Sequence, residues 1–186
     1  MILRKLLDKI RSKNINANDI NRFPKDTYLK VSDFFREENI KKEEVIIVCI
    51  GTNRTQTIDC LGPFVGSILK EDREFNVPVY GTMINPIHAL NMTQCITDIK
   101  NIHPKSIIIA IDASLSDDNK IGEIVVEKGS IKPAAGINKE FDGVGDYSIK
   151  GFVGPRGINL IEYYTDLNFI GSMANVIAEG LKKSLV

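Results

Sequence analysis

Two uninterrupted apolar runs, Val45-Ile46-Ile47-Val48-Cys49-Ile50 and Ile107-Ile108-Ile109-Ala110-Ile111, constrain this chain more than any other feature. Neither alternates apolar with polar residues, so each needs cover on both faces. That is the pattern of strands inside a parallel sheet with helices above and below. In such sheets ligands bind beyond the carboxyl ends of the strands. Both runs lead there into an aspartate: the first through Gly51 to Thr57-Ile58-Asp59-Cys60-Leu61-Gly62-Pro63, the second directly into Asp112. Two carboxylates delivered to one edge can share a proton, polarise a water or hold a metal.

From Val45 onward strand and helix patterns alternate. Strands are predicted over 45–51, 77–81, 106–112, 122–128 and 147–153, and helices over 60–71, 88–101 and 167–183. The order predicts the α/β class, a three-layer α/β/α sandwich around a mainly parallel sheet, phosphorylase/hydrolase-like. An antiparallel strand is expected at 122–128 or 147–153. Ahead of this lie two helical patterns, one through Ile2, Leu3, Leu6, Leu7 and Ile10 and one over 28–39. At 186 residues the chain is read as one domain spanning 1–186, with the helices of 1–40 packed on it. Residues 129–146 are rich in Pro and Gly, the composition of a functional loop.

Composition narrows the function classes. Twenty-four Lys and Arg balance twenty-four Asp and Glu, so no global field draws the chain to nucleic acid or to an anionic membrane. No apolar run approaches the roughly 20 residues of a membrane span, and the N-terminal segment lacks a signal-type core. Three cysteines are an odd count, with Cys49 on a core strand and Cys60 at a helix start, which points to free thiols in a reducing compartment. The expected location is cytoplasmic.

Each aspartate has a structural reading beside the functional one. Asp59 precedes Cys60-Leu61-Gly62-Pro63 and suits a helix N-cap, while Asp112 suits an Asx-turn closing its strand. Their shared position at the ends of two apolar strands favours a site. The Gly51-Thr52-Asn53-Arg54-Thr55 segment matches neither common phosphate-loop pattern. His88, at a predicted helix start, and His103, at a helix end, show no metal-motif spacing and are read as structural. There is no G-x-S-x-G elbow. Cys60, at a helix N-terminus that lowers thiol pKa, ranks below the aspartates as a reactive group.

The strings Ile50-Gly51-Thr52-Asn53-Arg54, Thr57 to Pro63, Val79-Tyr80-Gly81-Thr82 with His88-Ala89-Leu90, Ile109-Ala110-Ile111-Asp112-Ala113, Lys132-Pro133-Ala134-Ala135-Gly136-Ile137-Asn138-Lys139 and Gly145-Asp146-Tyr147-Ser148-Ile149-Lys150-Gly151 occur in one order. In that order they resemble the spore proteases: the YyaC-type sporulation protein family, with the larger germination protease as a relative and the hydrogenase-maturation peptidase fold. The resemblance implies a peptidase acting on a protein or peptide substrate, such as a spore protein, during spore formation or germination. It carries over Asp59 and Asp112 as the catalytic pair. It implies Asn53, Gly136, Asn138, Lys139 and Asp146 as substrate-binding or oxyanion residues. In the maturation peptidases a histidine completes a metal site, but none follows Asp112 in this chain. The expectation is therefore an aspartate pair without metal or other cofactor. The alternatives are a sporulation factor that binds a protein partner without catalysis, and a metal-dependent maturation-type endopeptidase. Oligomeric state is left open.

Overall fold

The two apolar runs become neighbouring strands. In the computed structural model, which describes residues 23, 27–55, 57–132, 143–158 and 166–185, β1 (Val45–Cys49) pairs in parallel with β3 (Ile107–Ser116), in register from Val45↔Ile107 to Cys49↔Ile111. On the other side β1 pairs in parallel with β2 (Val79–Tyr80). β3 continues the sheet to β5 (Tyr147–Pro155), again parallel, and β4 (Ile124–Lys128) closes that edge antiparallel to β5. The order is β2-β1-β3-β5-β4. The antiparallel strand is thus the 122–128 candidate, and 147–153 belongs to the parallel set.

Strand alternation divides the core into two layers. One face of the sheet carries Val45, Ile47, Cys49, Ile109, Ile111 and Ile149 under three helices: α1 (Thr27–Glu37), α2 (Leu61–Glu71) and α4 (Leu167–Leu185). The other carries Ile46, Val48, Ile108 and Ala110 under α3 (Met92–Ile102), with Ile131 and Val144. This is the expected three-layer α/β/α arrangement, and it explains why neither apolar run alternates. α1 seats on α4 where Gly180 leaves room; a Cβ there would fall 2.6 Å from Val31 Cβ. α1 ends at Glu37, and two residues on Asn39, at φ 52°, gives the left-handed stop common after a helix.

Boundaries shift for local reasons. β2 shrinks to two residues because Pro78 precedes it and Gly81 turns away at φ 83°, packed so closely that a Cβ would lie 1.9 Å from the Cys49 carbonyl oxygen. β3 runs four residues beyond Asp112 because β5 accompanies it to the Ser116↔Pro155 pair, with a bulge at Ser114/Leu115. α3 begins at Met92, not at 88, because Asn91 closes a turn on His88 through its backbone N–H at 3.0 Å to the His88 carbonyl. The helix expected over residues 2–10 lies outside the described residues.

Candidate active site

β1 and β3 part company at the carboxyl edge of the sheet. The last contact is the Ile50 N–H donating to the Ile111 carbonyl at 2.8 Å, and the next β3 residue is Asp112. Its alternation partners Ile108 and Ala110 place it on the α3 side of the sheet, and it is 9% exposed.

Asp59 reaches the same edge through two glycines. Gly51 has φ 142°, and a Cβ on it would stand 2.1 Å from the Asp59 carbonyl oxygen. A Cβ on Gly62 would stand 2.1 Å from the Ile50 carbonyl oxygen. With both side chains absent, the single 3-10 turn Ile58–Cys60 and the start of α2 close directly onto the end of β1. Thr52 N–H then donates to the Asp59 carbonyl at 3.0 Å and fixes the turn.

Neither structural reading of the aspartates is realised. Cys60 occupies the N-cap of α2 and Thr57 that of the 3-10 turn, and neither cap makes a side-chain bond, so the Asp59 carboxyl serves no cap. Asp112 lies inside a continuing strand and closes no turn.

The two carboxyls feel each other unequally. Burial pushes Asp59 above the ordinary carboxylate range, and Thr52, His88 and Arg54 each pull it part of the way back. The Thr52 hydroxyl is buried and without a hydrogen-bond partner of regular geometry, so its pull on Asp59 is one of close approach rather than of a fully formed bond. Asp112 is raised well above the ordinary range, by burial first and by the charge of Asp59 second; the Ala113 N–H and Lys150 oppose this only in part. Both carboxyls are thus disfavoured as anions, Asp112 the more strongly, and the charge of Asp59 adds to the effect of burial on Asp112.

The other expected site residues divide. Asn53 is exposed on the 51–55 segment beside Asp59. Asp146 is a correction: it precedes β5 at the amino edge of the sheet, where its Oδ2 accepts the Ile108 N–H at 2.9 Å, and Asp59 and Asp112 lie at the opposite edge. Its carboxylate closes a strand start that has no neighbouring strand carbonyl to use. Gly136, Asn138 and Lys139 lie outside the described residues. Cys60, ranked below the aspartates, is not activated. Its thiol donates to the Thr57 carbonyl at 3.0 Å, and burial pushes it up to about 12, outweighing any lowering by the helix N-terminus. Cys49, Cys60 and Cys95 are all free thiols. His103 shares a 2.7 Å hydrogen bond with the Tyr80 hydroxyl, a structural role.

Three residues at the site escaped the sequence: Thr52, His88 and Lys150. His88 and Lys150 arrive from elements well separated in sequence from each aspartate, so only the sheet order brings them in. A short-range signal existed for Thr52 alone, directly after the Gly51 turn. Among the described residues no three His, Cys, Asp or Glu side chains gather to hold a metal ion, and no helix is long and apolar enough to cross a membrane.

The chain is 43% identical over 141 residues to the uncharacterized protein YyaC of Bacillus subtilis (strain 168), covering 74% of this chain and 67% of that one. A crystal structure of the [NiFe] hydrogenase maturation protease HycI from Thermococcus kodakarensis KOD1 overlays with a TM-score of 0.47 at 18% identity, covering 75% of this chain and 92% of that chain. The model of DUF1256, a protein family of unknown function, matches residues 19–180. The chain belongs to the DUF1256 family.

Proposed function

We propose that this protein is a peptidase that hydrolyses a protein substrate with Asp59 and Asp112 as an acid–base pair. The observation that carries the reading is the inequality of the two carboxyls at one sheet edge: Asp59 stands among donors and cations, whereas Asp112 is buried against the charge of Asp59. In the mechanism, ionised Asp59 takes a proton from water as its oxygen attacks the scissile carbonyl carbon. Asp112 gives its proton to the carbonyl oxygen. Collapse of the tetrahedral intermediate returns that proton to Asp112, and Asp59 passes its own to the leaving amine, so the pair ends as it began. Acid–base assistance of this kind is worth on the order of 10²–10⁴-fold.

The ordered strings that resemble the spore proteases set the proposed context: a substrate processed during spore formation or germination, in the cytoplasm of the sporulating cell or inside the spore. Asn53, on the segment beside Asp59, and Gly136, Asn138 and Lys139 are the proposed contacts to the substrate and to the oxyanion.

The test is cleavage of proteins in a lysate of sporulating cells by wild type, Asp59→Asn and Asp112→Asn. Each amide nearly preserves side-chain volume but cannot exchange a proton as a carboxyl does. Wild type should cleave, and both variants should lose at least about 10²-fold in rate while remaining folded. Wild-type protein that cleaves nothing in the lysate from acid to alkaline pH would replace this reading with that of a factor that binds a partner without catalysis.

A further inference from the structure

The longest stretch of this chain without Lys, Arg, Asp or Glu runs from Phe75 to Thr97, in a sequence that is 26% charged overall. It contains residues 82–91, which pass the carboxyl end of β1 and are anchored to it. Ile87 bridges Ile50, and the Gly51 N–H donates to the Ile87 carbonyl at 2.8 Å. Gly51 also packs against the Asp59 carbonyl through the space its missing Cβ leaves, so this segment borders the candidate site. Met83, Ile87 and Met92 are its buried anchors. Between them stand two closed turns. In the first, the Thr82 N–H donates to the Asn85 carbonyl at 3.0 Å, the Asn85 N–H donates to the Thr82 hydroxyl at 3.1 Å, and the Met83 N–H reaches Ser67 Oγ on α2 at 2.9 Å. In the second, the Asn91 N–H donates to the His88 carbonyl at 3.0 Å, the His88 N–H donates to Asn91 Oδ1 at 2.8 Å, and Asn91 Nδ2 donates to the Pro86 carbonyl at 3.0 Å.

Each turn holds a large apolar side chain out in water: Ile84 is 70% exposed and Leu90 is 92% exposed. Turn tips ordinarily take Gly, Asn, Asp, Ser or Pro. A single exposed leucine needs no explanation, but here two such residues stand on successive turns of one anchored segment. The exposed residues beside them, Asn85, Ala89, Thr93 and Gln94, carry no charge. A surface of this kind gains by covering apolar side chains, and the hydrogen-bonded turns leave little conformational freedom to lose when it does so. We propose that Ile84 and Leu90 are specificity-determining residues that form an apolar lip at the carboxyl edge of the sheet and take uncharged, apolar side chains of the polypeptide substrate beside its scissile bond. The proposal rests on the peptidase reading for the fate of the bound chain and adds to it the class of sequence that is bound.

The experiment is a ¹H–¹⁵N NMR titration of the full-length Asp112→Asn chain with short peptides of Gly, Ser and Asn that carry Leu and Phe. These should bind and move the amide signals of Ile84, Leu90 and Gly51, whereas the same peptides with Ser or Glu in place of Leu and Phe should not. Adding Ile84→Ser or Leu90→Ser should weaken binding about 10-fold, the effect of leaving one apolar side chain uncovered. Melting temperatures should stay unchanged, since both side chains already face water. Ile102, 64% exposed at the far end of α3, is the control, and Ile102→Ser should bind as the parent does. Binding that is indifferent to Leu and Phe, or to both serine substitutions, would overturn the proposal. So would a wild-type dimer in sedimentation that Leu90→Ser dissociates, because the two tips would then cover a second copy of the chain. The lysate test fails separately. Apolar binding without any cleavage by wild type removes the peptidase and leaves the apolar lip standing, and cleavage without preference for apolar residues around the cut bond removes the lip alone.

Discussion

Asp112 and Lys150 occupy the same rung of the parallel β3–β5 pair, and Lys150 is bound in turn to Glu127 on β4. A single line of charge therefore crosses three strands from the candidate site to the sheet edge. Lys150 serves two carboxylates at once, and its side chain is 28% exposed, so it offsets the burial of Asp112 only in part.

This arrangement predicts a pH dependence of stability. The folded-state proton affinity of Asp112 lies well above its unfolded value, so between the two the native chain binds more protons than the unfolded chain. Stability from this group is full below the unfolded value and falls as pH rises toward the folded one, by up to about 1.4 kcal/mol per pH unit. Asp112→Asn removes the titration. Its melting temperature should exceed that of wild type at pH 7–8, with the gap closing near pH 4. Lys150→Met should extend the loss to higher pH, because the opposing cation is gone and the folded-state proton affinity of Asp112 rises further. Thermal melts across pH check both, and a gap for Asp112→Asn that is constant with pH would contradict them.

Gly51→Ala should be strongly damaging at the edge. The residue sits at φ 142°, and its Cβ would stand 2.1 Å from the Asp59 carbonyl oxygen, backbone that cannot swing aside. Strain and overpacking together should cost about 2–4 kcal/mol in urea unfolding, and the Asp59 turn should be displaced from β1. Gly129→Ala is the control. That glycine also has positive φ, at 125°, but nothing lies within 4 Å of its Cβ position, so only the backbone strain remains, about 1–2 kcal/mol.

Asp146 is predicted to be a structural residue. Asp146→Ala leaves the Ile108 N–H, at the start of a core strand, without its 2.9 Å acceptor and should cost about 1–3 kcal/mol. Asp146→Asn retains an acceptor oxygen and should cost less. Denaturant midpoints read the difference, and equal losses in the two variants would show that the carboxylate charge, not the hydrogen bond, is what matters there.

The unalternated runs at 45–50 and 107–111 were legible as neighbouring parallel strands because burial on both faces leaves no other way to satisfy them. Asp59 and Asp112 were legible for the same reason, since the sequence position fixes which end of a strand a residue follows. Local rules are overridden by a neighbour at two places. Burial of the Cys60 sulfur outweighs the helix end, in keeping with its rank below the aspartates. Asp146, in a motif shared with the site strings, was assigned to the site although it stands before its strand and not after it.

By itself, then, the sequence determined the layer architecture and the arrival of two carboxyls at one edge, because both follow from periodicity and from chain direction. The tertiary structure decided their inequality. Proton affinity depends on burial and on the surrounding charges and donors, and here burial dominates both carboxyls, opposed at Asp59 by Thr52, His88 and Arg54 and at Asp112 by the Ala113 N–H and Lys150. No sequence spacing encodes that set, since it exists only once the order β2-β1-β3-β5 has brought four distant segments side by side.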